Sequence, residues 1–457
     1  MFSRFISNSY YSSAPYIDEN GVCSWRPIQD LDKAIEKSVI IDDDRHADHE
    51  DNEQLVLRRA HAHIGTILTN SSELPRWKVI LLSPTKVLFR IDHCICDGLS
   101  AVTLLREIGV KTSSKLPLSL SDLSPILRSI EEAGDLRIAL LPLRLLWPLN
   151  LFRAISLLIS SLSHQSAPPN PLRPENVGSC ISSEFYGTVY FPNMPVALFK
   201  DIARSIGSGT TVNDVLLLCW SITIGRYIDE LKDRGLYDDH GDIDKLNVLL
   251  PIGNPLQPSK YGDRNEGLCN RMTPVVVPLS LPRDNETSSL SIKQNINEIK
   301  AYMMRVKKSN TPLLMTCLNT ILAPLLSVKN FKEAAKHSFD AVSAVYTNVA
   351  GPTQSISLQS PNKDYEITGL QVVMPHPVAI FCILSYNSTM FFNITVDTRT
   401  GIDAFILRES WIEAVKTVAE SVISDDKWKD QLAFLSTSKE YGGNGIVYTC
   451  GTPKAKD

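Results

Sequence analysis

The stretch "VLFRIDHCICDGLSAVTLLREI", residues 87–108, places polar residues between two apolar elements. Its first part reads as an apolar strand, and in its last part apolar residues return at helical spacing. His93 and Asp97 stand in the turn between the two, and Gly98 follows directly. A buried core requires neither a histidine nor an aspartate at such a turn. This stretch is therefore the first candidate for a functional site.

Each residue of this turn has a plain physical role. Gly98 permits an unusual φ, so the strand end can turn sharply into the helix. Asp97 can cap the new helix and complement its positive end, which is a structural role. A neutral histidine, with a pKa near ~6.5, can take a proton from an alcohol or thiol that attacks an acyl carbonyl. From residue type and spacing alone, His93 is either such a base or simply a hydrogen-bonded histidine.

The composition describes a large globular protein. With 457 residues, 43% hydrophobic and 21% charged, the chain is expected to form two domains or two halves. Its net charge of -4 gives no support to a nucleic-acid partner. Nine scattered cysteines form no disulfide framework, which favours a reducing compartment. The start, "MFSRFISNSYYSSAPY", lacks the apolar core of a secretory signal.

The chain alternates between strand and helix patterns. A hairpin is predicted for "WKVILLSPTKVLFRI", and further strands for "SSEFYGTVYF", "DAVSAVYTNVAGP" and "AIFCILSYNSTMFFNITVD". Central strands are predicted for "KLNVLLPIG" and "MTPVVVPLSL". The helices predicted are "MPVALFKDIARSIG", a buried "TVNDVLLLCWSITIGRYIDELKD" and "SSLSIKQNINEIKAYMMRVKK". Because no fixed repeat period is present, the class is mixed α/β and not a solenoid.

Several common chemistries are not indicated. The sequence has no G-x-S-x-G elbow, no phosphate-binding G-x-x-x-x-G-K-[ST] loop and no dinucleotide G-x-G-x-x-G after a strand. "HCIC" could offer soft metal ligands, but consecutive residues at a strand end point to opposite sides. The acidic run "DDDRHADHEDNE", with His46, Asp48 and His49, is predicted to be a solvated loop. No metal site is expected.

Residues 136–162 form the most apolar long segment, "LRIALLPLRLLWPLNLFRAISLLISSL". Arg137, Arg144, Arg153 and several prolines interrupt it, which disfavours a spanning helix. Arginines among leucines favour an amphipathic segment at a membrane interface. A buried inter-domain helix and a true spanning helix remain alternatives. The proline-rich residues 166–179 that follow are predicted to be a crossover linker.

The stretch around His93 resembles the H-H-x-x-x-D-G motif of the bifunctional wax ester synthase/diacylglycerol acyltransferase family. That family has the chloramphenicol-acetyltransferase-like fold, which carnitine acyltransferases and peptide-synthetase condensation domains share. Further segments are similar to the family in family order over most of the chain. These are Trp77, at the place of the tryptophan in P-L-W-E; "TTVNDVLLLCWSITIGRYI", with Asn213 and Asp214; "GLCNRMTPVVVPLSLP", with Asn270; "YTNVAGP", with Asn348, Gly351 and Pro352; and "GLQVVMP" followed by "AIFCILSYNSTMFFNITVD".

The resemblance implies two α/β halves, residues 1–165 and 180–457, each a mixed sheet with helices, and an active-site tunnel between them. His93 would be the catalytic base, supported by Asp97, Gly98 and Asn270. A backbone N–H near Gly98 or the side chain of Asn270 would bind the oxyanion. The remaining motif residues would be structural, namely Asn213, Asp214, Asn348, Gly351 and Pro352.

The reaction implied is transfer of a long acyl group from acyl-CoA to a fatty alcohol or diacylglycerol, giving a wax ester or triacylglycerol. No cofactor is implied, because acyl-CoA enters as a co-substrate. The expected partners are a membrane surface or lipid droplet and a second copy in a homodimer, but no nucleic acid. The expected location is the membrane-associated cytoplasmic face of the endoplasmic reticulum or plasma membrane.

The sequence departs from the family pattern at three places. Asp92 stands at the first histidine of the pair, Arg76 and Lys78 replace the leucine and glutamate of P-L-W-E, and the opening strand and helix are not recognised. Two alternatives therefore stay open. One is an acyltransferase of the same fold that acts on another alcohol, such as a polyketide or secondary metabolite. The other is an inactive relative that binds a lipid or partner.

Overall fold

The structure is a computed structural model. It describes residues 13–17, 23–42, 53–64, 74–93, 96–98, 100–102, 104, 167, 169–173, 186–237, 243–253, 272–282, 289–308, 330, 333, 336, 338–359, 364–376, 378–424, 426 and 428–432.

The described strands are β1 (Ser13–Ile17), β2 (Cys23–Pro27), β3 (Val39–Ile41), β4 (Trp77–Ser83), β5 (Lys86–Ile91), β6 (Tyr186–Pro195), β7 (Lys245–Gly253), β8 (Met272–Ser280), β9 (Ala344–Ala350), β10 (Ser357–Gln359), β11 (Asp364–Glu366), β12 (Ala379–Tyr386) and β13 (Thr389–Asp397). The described helices are α1 (Leu31–Ser38), α2 (Glu53–Ile64), α3 (Val196–Ile206), α4 (Val212–Asp233), α5 (Ser289–Lys308) and α6 (Ala404–Val422), with a 3₁₀ turn at Thr398–Thr400. Residues 98, 100–102 and 104 are also helical, and we call them the motif helix.

Two mixed sheets organise the described residues. The larger has six strands in the order β6-β13-β12-β9-β7-β8, and β9 is parallel to both β12 and β7. The smaller has the order β3-β4-β5, with β3 parallel and β5 antiparallel to β4. Short antiparallel pairs join β1 to β2 and β10 to β11. The predicted mixed α/β class, with mixed sheets and helices, is confirmed.

The core of the large sheet is built around α4. This helix is apolar on most faces, and its residues are buried almost continuously from Asp214 to Leu231, as the sequence predicts. Trp220 of α4 stacks on Phe381 of β12 with ring centroids 4.1 Å apart, and Trp411 of α6 meets the same phenylalanine edge-on at 5.2 Å. Aromatic rings bury large apolar areas, so these contacts hold both helices to the sheet.

The predicted position of β8 is wrong. The sequence predicts a central strand, but β8 is the last strand in the order of its sheet. Its residues alternate between buried and more accessible positions, and both Pro274 and Pro278 are exposed. Because proline cannot donate to a strand ladder, it is tolerated at a sheet edge and not in the middle. The two prolines therefore indicate the edge position that the apolar pattern concealed.

The predicted hairpin is confirmed, and the strands predicted for "AIFCILSYNSTMFFNITVD" form a second one. Antiparallel β4 and β5 are joined at the turn from Ser83 to Lys86, and β12 and β13 form a second hairpin. In the second turn Asn387 and Ser388 have φ values of 45° and 65°. Positive φ at both central residues gives the turn a twist that matches paired strands. The N–H of Asn387 also donates to the carbonyl of Pro352 at 2.9 Å, which ties the end of β9 to this hairpin.

The described part of the proline-rich segment is bonded to the turn ahead of β9. Asn170 Nδ2 donates to Ser343 Oγ at 3.0 Å, and Arg173 Nη2 lies 2.8 Å from Asp340 Oδ1. The division into two halves joined by this segment stays a prediction. The apolar segment 136–162 lies outside the described residues. Within the described ranges, no helix has the length and apolar character needed to cross a membrane.

Candidate active site

His93 lies directly after β5 and is exposed, whereas Asp97 is buried. The Asp97 carboxylate accepts the backbone N–H of Ser100 at 2.8 Å, and the Asp97 carbonyl accepts the N–H of Ala101 at 2.9 Å. Asp97 therefore caps the motif helix, because its side chain satisfies a donor that has no partner within the first turn. A fixed helix start directs the turn that carries His93.

Gly98 is required for a different reason from the one predicted. It is helical, and the described glycines with positive φ are Gly207, Gly209, Gly235 and Gly401, so the predicted unusual φ is wrong. A Cβ added to Gly98 would instead lie 2.9 Å from Cγ2 of Val349 in β9, closer than real Cβ contacts come. The absence of a side chain lets the motif helix lie directly on β9.

Apolar packing joins the motif helix to the large sheet. Val102 of the motif helix, Val349 of β9 and Leu384 of β12 form one buried cluster, and the partly buried Leu370 and Val372 pack against it. Two segments far apart in the sequence thus meet at the end of β9. The turn with His93 is attached to the sheet that contains "YTNVAGP".

Two predicted motif residues are bonded to each other. Asn348 Nδ2 donates to Asn213 Oδ1 at 3.1 Å, which joins β9 to the start of α4. The expectation that Asn213 and Asp214 begin a helix is confirmed. Thr211 is the N-cap, and the Asp214 carboxylate accepts both the Thr211 N–H and its hydroxyl at 2.8 Å. Asp214 therefore has a structural role, because it completes the cap at the start of α4.

Gly351 and Pro352 shape the end of β9. A Cβ on Gly351 would collide with the carbonyl oxygen of Ser385 in β12, so a glycine is needed where the two strands converge. The Gly351 N–H donates to Ser385 Oγ at 3.3 Å. Asn270 lies outside the described residues, so its predicted supporting role stays a prediction. The tunnel between the halves also stays a prediction.

His376 is a partly buried histidine that the sequence did not reveal. Its ring meets Phe339 edge-on with centroids 4.7 Å apart, and its Nδ1 lies 3.3 Å from both the backbone nitrogen and the carbonyl oxygen of Val378. Burial lowers the pKa of His376 from 6.5 to about 4; a hydrogen bond to the Val378 backbone partly offsets this, and the charge of His93 lowers the pKa further. The only signal in the sequence was a lone histidine in "VVMPHPVAI".

Residues 268–418 match the family model described as the WS/DGAT C-terminal domain. This part of the chain is similar to the C-terminal domain of the WS/DGAT proteins. The matched segment contains all of β8 to β13 and also His376. The motif helix packs against Val349 and Leu384, which lie within this matched segment.

A curated WS/DGAT relative supports the same family. The wax ester synthase/diacylglycerol acyltransferase 2 of Arabidopsis thaliana is 24% identical over 227 residues, which are 45% of this chain and 44% of the relative. The match thus spans less than half of the relative's length.

Solved structures share the fold at low sequence identity. The wax ester synthase/diacylglycerol acyltransferase of Marinobacter aquaeolei VT8 has a TM-score of 0.51 and 15% identity, covering 90% of this chain and 86% of its own. The epimerization domain of the third module of tyrocidine synthetase B has a TM-score of 0.51 and 12% identity. The match covers 93% of this chain and 89% of that domain. The X-domain from teicoplanin biosynthesis has a TM-score of 0.52 and 11% identity. The match covers 92% of this chain and 86% of the X-domain. The chloramphenicol-acetyltransferase-like fold is confirmed.

Proposed function

We propose that this WS/DGAT relative is an O-acyltransferase that moves a long-chain acyl group from acyl-CoA to a fatty alcohol or diacylglycerol. One observation carries the proposal. The motif helix that follows the exposed His93 packs against Val349 and Leu384 within the WS/DGAT C-terminal domain. The segment that carries the proposed base is thus continuous with a helix that packs on the part of the chain matched by the WS/DGAT family model.

His93 is the general base in this proposal. One of its imidazole nitrogens removes the proton of the acceptor hydroxyl, and the hydroxyl oxygen forms a bond to the thioester carbon. The π electrons of the carbonyl move to its oxygen. When the carbonyl re-forms, the C–S bond breaks, and the departing CoA thiolate takes the proton back from His93. No acyl-enzyme is needed, because both substrates react directly.

The partners in this proposal are acyl-CoA and an apolar alcohol, with no cofactor. Apolar acceptors partition into lipid, so the proposal places the protein on a membrane surface or lipid droplet, at the cytoplasmic face. The apolar segment 136–162 would provide the contact through its leucines while its arginines reach anionic headgroups. Binding to vesicles with anionic lipids should weaken as salt is added, and salt-insensitive binding would contradict an interfacial segment.

An inactive lipid-binding relative is the second candidate function. The replacement of the first motif histidine by Asp92, directly beside His93, favours it. The intact His93, Asp97 and Gly98 favour the enzyme.

The deciding experiment incubates the purified full chain with radiolabelled palmitoyl-CoA and one acceptor at a time. The acceptors are hexadecanol, dioleoylglycerol and a secondary alcohol of polyketide type, and the ester is measured by thin-layer chromatography. Ester formed with hexadecanol or dioleoylglycerol supports the proposal. Ester formed only with the secondary alcohol indicates the same fold with another acceptor. Palmitoyl-CoA binding without any ester indicates the binding protein.

A further inference from the structure

A surface cavity of about 400 Å³ lies between the end of α3 and the start of α4. It is lined by the C-terminal half of α3, the loop of residues 207–210 and Val212, the first residue of α4. We call it the α3–α4 cavity. It is separate from the turn that carries His93, and no role has been assigned to it so far.

Positive side chains surround the α3–α4 cavity. Lys200 and Arg204 lie in its lining and share one face of α3, because they are four residues apart. Lys300 reaches the cavity from α5, and its Nζ donates to Thr210 Oγ1 at 3.0 Å and to the carbonyl of Ser208 at 3.3 Å. Three cations from two helices therefore meet at one cavity.

The negative charge that opposes these cations is smaller. Asp201 Oδ1 lies 2.6 Å from Arg204 Nη1, and Asp201 Oδ2 accepts a hydrogen bond from Gln431 Nε2 at 3.3 Å. The Asp214 carboxylate at the start of α4 is buried and completes the helix cap. Lys200 has neither a hydrogen bond nor an ion pair within the described part of the chain. The cavity therefore keeps an excess of positive charge that an anion would neutralise.

A short series of contacts joins the α3–α4 cavity to the motif helix. Val212 lines the cavity, and the next residue, Asn213, accepts a hydrogen bond from Asn348 Nδ2 at 3.1 Å. Val349 follows in β9 and lies against Gly98 of the motif helix. The cavity and the segment with His93 are thus attached to adjacent residues of the same strand.

The large sheet opens beside these residues. β7 pairs with β9 at Ala344 and Val345, but beyond this point both strands continue without pairing to each other. Tyr346 belongs to the core around α4, whereas Val349 contacts the motif helix, so the two helices lie on opposite faces of β9. The divergence of β7 from β9 therefore offers a path from the face of α4 to the face of the motif helix.

We propose that the α3–α4 cavity binds the phosphate groups of the CoA nucleotide, with Lys200 and Arg204 as the direct contacts. The inference rests on the proposed function and adds to it the place of the donor's nucleotide. In CoA the pantetheine arm separates the phosphates from the thioester, so their site belongs at a distance from His93. The arm follows the opening beside β9. Ammonium and guanidinium groups are the side chains suited to phosphate oxygens.

Two thioesters test the phosphate contacts by equilibrium binding without an acceptor. Palmitoyl-CoA and S-palmitoyl-pantetheine share the acyl thioester and the pantetheine arm, but only the first carries the nucleotide phosphates. The double variant Lys200→Gln/Arg204→Gln should weaken binding of palmitoyl-CoA by about 5- to 30-fold, as expected for two exposed charge contacts. Binding of S-palmitoyl-pantetheine should not change. Added salt should reduce the difference between wild type and variant, because it screens exposed charges.

Lys416→Gln is the matched control for Arg204→Gln. Each replacement removes one cation from an i,i+3 ion pair on a helix of the large sheet, and Lys416 pairs with Glu413 on α6. The control should bind both thioesters as the wild type does. An equal loss of palmitoyl-CoA binding in Lys416→Gln would overturn the site, because the effect would then come from net charge alone.

The remaining outcomes separate the phosphate site from the proposed reaction. Unchanged palmitoyl-CoA binding in the double variant, or equal losses for both thioesters, would overturn the site even if the wild type forms ester. A loss confined to palmitoyl-CoA, without ester formation by the wild type, would overturn the reaction and keep the site. Vesicles with phosphatidic acid offer phosphate from a lipid. Loss of vesicle binding alone would assign the cavity to a headgroup and overturn the CoA assignment. Failure of the wild type to bind palmitoyl-CoA would overturn both proposals.

Discussion

Arg76 Nη1 lies 3.4 Å from Asp92 Oδ2. These are two of the positions at which the sequence departs from the family pattern, and the Asp92 N–H also donates to the Arg76 carbonyl at 2.9 Å. Both side chains are partly buried, at 24% and 31% exposure, so either charge alone would be costly. The two substitutions are therefore best understood as one linked change that holds the chain immediately before His93.

A double-mutant cycle measures this linkage. Arg76→Leu and Asp92→Asn should each destabilise the protein, and the double variant should lose less than the sum of the two. The expected coupling free energy is ~0.5–3 kcal/mol, typical of residues in direct contact. Urea unfolding of the four proteins provides the measurement. Additive losses would show that the pair contributes no net interaction.

Removal of His93 should separate activity from stability. His93→Ala is expected to lower turnover by ~10²–10⁴-fold, the usual contribution of a positioned general base. The melting temperature should change little, because His93 is exposed and carries little core packing. His63→Ala, on α2, is a suitable control histidine. Near-normal acyl transfer by His93→Ala would contradict the base assignment.

The contact between Gly98 and Val349 predicts a rescue. Gly98→Ala should destabilise the protein by ~1–3 kcal/mol, because the new methyl group overpacks against Cγ2 of Val349. Val349→Ala removes that methyl group and should recover part of the loss in the double variant, although the single Val349→Ala leaves a cavity. If the double variant loses as much unfolding free energy as the two single variants together, the clash with Val349 is not the reason why glycine stands at position 98.

Acid should destabilise the protein through its buried histidines. The pKa of His61 is lowered by burial from 6.5 to about 4, so between these values the unfolded chain binds a proton that the folded chain does not. The free energy of unfolding should therefore fall as the pH drops from 6.5 to about 4. Below about pH 4, His61 is protonated in both states and causes no further loss. The loss is up to ~3 kcal/mol for one such group. His61→Gln should flatten this part of the stability profile measured by urea unfolding.

The sequence predicted individual strands and helices better than it predicted the contacts between them. Turn residues and apolar periodicity gave the β4–β5 hairpin and the buried α4, because both patterns are local. The edge position of β8 depends on which strands pair, and an apolar run does not carry that information. The need for glycine at Gly98 depends on the packing of the motif helix against Val349, which lies far along the chain. Spacing along the chain could therefore identify His93 but could not reveal its surroundings.

The packing of Val102 against Val349 and Leu384 sets an order of events during synthesis. The ribosome releases the motif helix long before β9 and β12, so in the nascent chain the face of this helix that carries Val102 is not yet covered by these strands, whereas Leu104 already has Trp77 to pack against. Such a face can bind a chaperone or another chain until its partner strands arrive. Val102 can therefore complete its packing only after β9 and β12 have been made.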